Sequence, residues 1–306
     1  MPEGVIGMTA GSPTASHLVA DASARLHAAG SPTPRLDAEL LVGHALGRDR
    51  TWLHAHPESV VDESARSQVS EWVERRAAGE PVAYIRGFKD WFSMRIATDR
   101  RALIPRPETE LLAESAVSET AARLVRDDEG VTAWEVATGS GAVSLALAVR
   151  FRAALMLGRL RLIASDISAE ALELASENLA SRGVAHLVTL ACGDLLERRL
   201  APQGGTDLLI ANLPYVASGE VEEGRGSMPW EPRSALDGGA DGLDLLRRLI
   251  AGLPAILAPQ GVALLEVGSG QAEAVRQAVA SLAPRTVVTT MRDLAGVERV
   301  VRIARI

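Results

Sequence analysis

With 306 residues, 47% of them hydrophobic and 23% charged, the chain can fold as one large domain or two of ordinary size. A net charge of −7 weighs against binding driven by phosphate neutralisation, so direct nucleic-acid binding is not expected. The lone Cys192 excludes an intrachain disulfide and a cysteine-built metal site, and the six histidines form no H-x-x-x-H pair, so no metal is expected.

The opening Met-Pro-Glu is not a basic-then-apolar leader, and no window has the apolar length of a bilayer span. A cytoplasmic monomer with no membrane partner is therefore the expectation.

Residues 1–14, rich in Gly, Ser, Thr and Pro, are expected to be loose. The pattern then turns helical. Leu18, Ala22 and Leu26 share a face, Gly30 to Pro32 break it, and Ala38, Leu41 and Ala45 resume it. A third helix runs from Asp62 or Glu63 to Arg76 with Val69 and Val73 inward. Residues 1–83 read as a small all-α domain. Residues 84–107 differ: Ile85 to Ile96 alternates and carries Gly87, which predicts a β-hairpin linker with a glycine-containing turn. Two prolines then give way near Pro107–Thr109 to a helix whose first turn holds Glu108 and Glu110.

From residue 108 onward strands and helices alternate, which predicts a Rossmann-like, doubly wound α/β sheet. Trp134 to Val136 is a strand, followed by a tight Gly loop and a helix from Ala142 to Arg150. Leu160 to Ser165 closes on Asp166, and Ser168 caps a helix reaching Arg182. Val188 to Ala191 leads to Gly193-Asp194, and Leu208 to Ala211 is an apolar strand. Leu243 to Leu257 reads as a helix and Val262 to Val267 as a strand. Thr286 to Thr290 and Val297 to Ile303 are expected to close the sheet edge as antiparallel strands.

The strand Leu208 to Ala211 ends in Asn212-Leu213-Pro214-Tyr215. Pro214 has no N–H and biases Leu213 toward extended backbone, so pairing stops there. Ligands of open α/β sheets bind beyond the carboxyl ends of the strands, which puts this tetrapeptide where chemistry occurs. It suits methylation of a planar nitrogen, a poor nucleophile whose lone pair is delocalised. The Asn212 side-chain oxygen and a neighbouring backbone carbonyl can each accept one N–H and aim the lone pair. Tyr215 can cover one face of the planar group.

The methyl donor is suggested by the earlier strand ends. Gly139-Ser140-Gly141 supplies free N–H groups at a helix start but lacks the third glycine of a dinucleotide fingerprint. Glu135 would repel a pyrophosphate yet suits the cationic methionine end of S-adenosylmethionine. Asp166 would take the ribose hydroxyls, and Gly193-Asp194 the adenine edge.

These motifs together resemble the peptide chain release factor glutamine N5-methyltransferases, a family with a class I methyltransferase domain. Ile104 to Glu110 is similar to its linker signature, Glu135 to Gly141 to its cofactor loop, and Asp166-Ile167-Ser168 to its ribose-binding strand end. Asn212 to Tyr215 stands at its Asn-Pro-Pro-Tyr motif. Glu231-Pro232-Arg233, Ala235 to Gly239, Asp241-Gly242-Leu243 and Leu265 to Gly268 resemble its later segments.

The resemblance implies methyl transfer from S-adenosylmethionine to the glutamine side-chain amide in the Gly-Gly-Gln tripeptide of a release factor, with the helical domain helping to dock that protein. Ala137, Thr138, Gly139, Ser140, Gly141, Asp166 and Asn212 would contact the cofactor, with Leu195 set against the adenine. Asn212, Leu213, Pro214 and Tyr215 would hold the glutamine.

Three positions depart from the family. Ala137 replaces a glycine, so the loop is expected to avoid positive φ there. Leu195 stands where an aromatic is common, and Leu213 replaces the first proline. Asn-Leu-Pro-Tyr is also similar to the motif of adenine N6-methylases, an alternative acting on RNA or DNA. That chemistry wants a basic groove and stacking aromatics, and aromatic residues make up 3% of this chain. A third reading is a non-catalytic scaffold for the release factor or the cofactor.

Overall fold

A computed structural model describes residues 13–126, 130–224 and 226–306, so most of the segment expected to be loose lies outside the described residues. The chain divides into two units, Met1–Gly87 and Phe88–Ile306.

The first unit is all α: α1 (Ala15–Ala28), α2 (Pro34–Ala45), α3 (Arg50–Ala55), α4 (Glu63–Ala77) and α5 (Val82–Arg86). Thr14, Asp49 and Asp62 cap α1, α3 and α4 by accepting backbone N–H groups, and Pro34 opens α2, where a missing N–H leaves nothing unpaired. Val19, Ala22, Leu26, Ala38, Leu41, Val69 and Val73 form one core, with Leu18 and Ala45 at its margin. Three acids are buried among the described residues of this unit, and each is matched by arginine; Glu80 accepts from Arg75 at 2.7 and 2.8 Å. Asp37 accepts from Arg76 at 2.7 Å, and Glu39 from Arg35 at 2.6 Å and Arg50 at 2.8 Å.

Residues 84–86 correct the expectation of a strand. Pro81 sets φ at −60° ahead of α5, Tyr84 and Ile85 are buried, and Gly87 ends the helix at φ 75°. The hairpin proper is β1 (Phe88–Trp91) paired antiparallel with β2 (Met94–Ala97). Its turn contains no glycine; Phe92 and Ser93 take φ 49° and 55° themselves.

The rest of the second unit runs α6 (Thr109–Arg126), β3 (Val131–Val136), α7 (Ala142–Arg150), α8 (Arg152–Met156), β4 (Leu160–Asp166), α9 (Ala169–Ser181) and β5 (Val188–Cys192). It continues with β6 (Thr206–Ala211), α10 (Ser218–Glu223), α11 (Asp244–Ile256), β7 (Leu257–Glu266), α12 (Ala272–Leu282), β8 (Thr286–Arg292) and β9 (Glu298–Arg305). The seven strands lie in the order β5-β4-β3-β6-β7-β9-β8. The first five are parallel; β9 pairs antiparallel with β7, and β8 antiparallel with β9.

Pleating divides the apolar residues between two faces. Ala133, Leu162, Leu208, Ile210, Val262 and Leu264 pack under α6 and α7, while Trp134, Ile163, Leu209, Ala211 and Leu265 pack under α11 and α12. The chain winds outward from β3 through β4 to β5, then returns to place β6 on the other side of β3. That reversal opens a crevice between β3 and β6 at their carboxyl ends.

Candidate active site

The Asn212–Tyr215 tip leaves the crevice at the end of β6. Leu208 to Ala211 are fully buried, and Leu213 keeps the tip in register by burying its side chain to 1% exposure against the α11 side of the sheet. Asn212 Nδ2 donates to the Thr109 hydroxyl at 3.2 Å, which leaves Oδ1 as the acceptor end of that amide. Glycines let the following segment press onto this tip. A Cβ on Gly238 would lie 2.6 Å from the Pro214 carbonyl oxygen, and one on Gly242 would meet the Tyr215 backbone. Gln271 ties the tip from the other side by donating to the Tyr215 carbonyl at 2.9 Å.

On the β3 side, the loop turns through left-handed backbone at Ala137, Gly139 and Gly141. The expectation that Ala137 avoids positive φ is wrong: its φ is 56°. The turn geometry prevails over the methyl group, at about 1–2 kcal/mol of local strain. Leu195, on the opposite wall, is also left-handed at φ 47°. Gly141 serves packing, since a Cβ there would sit 2.9 Å from the Ala175 Cβ of α9.

Two buried carboxylates hold this loop. Glu135 Oε2 accepts from the Thr138 hydroxyl at 2.7 Å, from the Ser144 N–H at 2.9 Å and from the Ser144 hydroxyl. Burial pushes its pKa up to about 7 against those hydrogen bonds. Asp166 accepts from the Gly139 N–H at 2.8 Å and the Ser168 N–H at 2.9 Å, and burial likewise raises its pKa. Both carboxylates keep lone pairs beyond these bonds.

One cavity joins these walls. Glu135, Ala137, Thr138, Gly139, Ser140, Asp166, Asp194, Leu195, Asn212, Leu213 and Pro214 all border it; Gly141 and Tyr215 do not. Three arginines also border it, and each is already paired. Arg101 is held by Asp99 and Glu177, Arg106 by Glu231, and Arg248 by Asp194, each with one contact of 2.7 Å or less. Their charge is therefore taken up within the protein. The donor set suits a cationic, hydroxyl-bearing ligand better than a pyrophosphate.

Several partners carry no sequence signal as single residues. Glu231, buried, accepts from Arg106 at 2.6 Å, from the Ile104 N–H at 3.1 Å and from Ser227 at 2.5 Å, joining two motifs more than a hundred residues apart in sequence. Asn178 of α9 accepts from the Ala97 N–H and donates to the Ser140 carbonyl at 2.9 Å, tying the hairpin to the loop. Thr109 reads in sequence as a helix start inside the linker signature, with no sign of its bond to Asn212, and Arg248 only as one polar position of α11.

The Tyr215 hydroxyl stays protonated. Burial above all, with Glu266 adding to it, pushes its pKa up to about 12. Among the described residues no helix is long and apolar enough to cross a membrane.

The PrmC N-terminal domain family model matches residues 17–87, ending where the first unit ends. A release factor glutamine methyltransferase of Xylella fastidiosa (strain Temecula1) is 39% identical over 277 residues, covering 90% of this chain and 95% of its own length. Its counterpart in Moorella thermoacetica is 36% identical over 288 residues, 94% of this chain and 96% of its own. Among solved structures, the hMettl16 catalytic domain in complex with MAT2A 3′UTR hairpin 6 is similar at a TM-score of 0.54 and 12% identity, covering 76% of this chain and 81% of that one. That likeness is one of fold. With relatives of one kind spanning about nine-tenths of its length, the chain belongs to the release factor glutamine methyltransferase family.

Proposed function

We propose that the crevice between β3 and β6 binds S-adenosylmethionine, and that Asn212 to Tyr215 hold the release-factor glutamine of a Gly-Gly-Gln tripeptide for methylation at N5. As a family member the chain is a protein glutamine methyltransferase, and release factors are its protein substrates. The observation that carries the site assignment is the Asn212 amide, pinned at Nδ2 by Thr109 and bordering the same cavity as Glu135 and Asp166.

When bound, S-adenosylmethionine supplies a sulfonium-bound methyl group. Glu135 offers negative charge toward that end of the pocket. Asp166, fixed by two backbone N–H groups, can accept ribose hydroxyls on its remaining lone pairs. Asp194, beside Leu195, bounds the adenine end, with Arg248 neutralising one of its oxygens.

The glutamine amide donates one N–H to Asn212 Oδ1 and the other to the Leu213 carbonyl. Both hydrogens are then held in the amide plane, and the lone pair points out of it, toward the donor. Replacing proline by leucine at 213 leaves that carbonyl available. The methylated amide sheds its proton readily once positive, so no strong general base is required. Tyr215, neutral at physiological pH, packs against the glutamine and takes no part in proton transfer. The helical unit docks the release factor, and the protein works as a cytoplasmic monomer without nucleic acid.

The test is methyl transfer from labelled S-adenosylmethionine to a purified release factor and to its Gln→Ala variant in the Gly-Gly-Gln loop. Label on the first alone supports the reading. Label on neither, with cofactor binding intact, overturns it and leaves adenine N6 methylation of RNA or the scaffold role.

A further inference from the structure

Glu266 ends β7 with 1% of its surface exposed and neither carboxyl oxygen in a hydrogen bond. A buried carboxyl without partners destabilises a fold, and an aliphatic side chain would be better tolerated there. The surroundings suggest why it is retained. Ala211 pairs with Leu265 across β6 and β7, and Glu266 continues the pleat of Val262 and Leu264 as Asn212 continues that of Leu208 and Ile210. The two residues thus fall on the same face of neighbouring strands.

Thr109, at the start of α6, lies over both. Its oxygen accepts from Asn212 Nδ2 at 3.2 Å. The Thr109 and Tyr215 hydroxyls are close enough to Glu266 to lower its pKa, although neither meets hydrogen-bond geometry. The other charged groups facing it are Glu108, beside Thr109, and Arg299 of β9, which is itself held by Asp293 at 3.0 Å.

We propose that Glu266 is a positioning residue for methyl transfer, acting through the Thr109 hydroxyl to fix which end of the Asn212 amide meets the substrate. This rests on the reading that Asn212 grips the glutamine.

A threonine hydroxyl has one hydrogen. Since the Thr109 oxygen accepts from Asn212, that hydrogen needs another acceptor, and an ionised carboxylate is acceptor only. With a small hydroxyl rotation the chain runs one way: Asn212 Nδ2–H to Thr109 Oγ1, then Thr109 O–H to Glu266. Asn212 Oδ1 is the end left for the glutamine N–H. A protonated Glu266 can instead donate to Thr109, which sends the Thr109 hydrogen toward Asn212 and favours the amide turned over. The site would then set N–H against N–H. Burial above all holds the Glu266 pKa up at about 7, so the reversal falls within a measurable range.

The experiment is kcat against pH at saturating cofactor, on a release factor, for the wild-type chain and the Glu266→Gln, Thr109→Ser and Thr109→Val variants. The wild-type kcat should rise with pH through about 7. Glu266→Gln, which can donate as well as accept, should lower kcat by about tenfold or more and flatten that limb. Cofactor affinity and KM should change little. Thr109→Ser should keep both rate and limb, whereas Thr109→Val should lose them.

A Glu266→Gln variant with wild-type kcat and an intact limb overturns the proposal. The Asn212 side-chain amide, followed by NMR without substrate, separates this outcome from failure of the grip reading. No methyl transfer by the wild-type chain overturns that reading, and the proposal with it. Exchange of the Nδ2 hydrogens still reports whether the chain of contacts exists: faster exchange in Glu266→Gln supports the contact, and unchanged exchange refutes it.

Discussion

The ends of β3 and β6 face each other across one crevice but are held in different ways. The β3 loop depends on polar contacts: Glu135 and Asp166 anchor backbone N–H groups, and the loop carries left-handed strain at Ala137. The β6 tip depends on shape, with Leu213 in the core and glycines pressed onto Pro214 and Tyr215. A loop held by hydrogen bonds can absorb an extra methyl group by local strain. A tip held by packing depends on the volume that anchors it. Two of the three departures from the family's pattern, Ala137 and Leu213, thus fall on ends with opposite tolerances.

Asn212→Ala should give the largest effect, since it removes the grip but leaves the packing of the tip. Turnover should fall by about 10²–10³-fold, with cofactor affinity by calorimetry little changed. Loss of folding by circular dichroism would mean that Asn212 anchors the tip as Leu213 does, and would break the contrast. Leu213→Ala comes next. Emptying that core site should cost about 2–5 kcal/mol in denaturant unfolding, and a neutral result would show that the tip is not held by packing.

On the β3 side, the charge of Glu135 should appear as pH dependence of cofactor affinity. Its pKa stands at about 7, so it is ionised above and neutral below. A cationic ligand favours the ionised form, so affinity should weaken as pH falls, by at most about tenfold per unit. Glu135→Gln should bind weakly without that slope, and a slope retained in the variant would assign it to another group. The smallest effect belongs to Ala137→Gly. Relief of the left-handed strain should raise stability by up to about 1 kcal/mol in thermal unfolding.

Much of this was legible in the sequence because periodicity and strand-end chemistry are local signals. Asp62 and Ser168 cap helices as their residue types suggest. The run Leu208 to Ala211 is a fully buried strand, as its lack of polar side chains implies. Local signals mislead where tertiary context decides. The alternation from Ile85 to Ile96 suggests a strand from the start, but five residues bounded by Pro81 and Gly87 close one helical turn instead. The hairpin turn requires positive φ, yet Phe92 and Ser93 supply it without a glycine. Intrinsic preference disfavours positive φ at Ala137, but the turn between β3 and α7 sets it there.

The roles of Thr109, Glu231 and Asn178 emerge only when distant segments meet. No spacing rule links Ile104 to Glu231 or Ala97 to Asn178.

The placement of β9 also bears on how the molecule is made. β7, which carries Glu266 and flanks the Asn212 tip, pairs on its far side with β9, and Glu266 itself lies opposite Val300. Residues up to about 304 must therefore leave the ribosome before that side of the sheet has its neighbour. The helices of the first unit, which share a core drawn from residues 15–85, have no such wait. Their folding can precede completion of the crevice, which waits for β9 to be made.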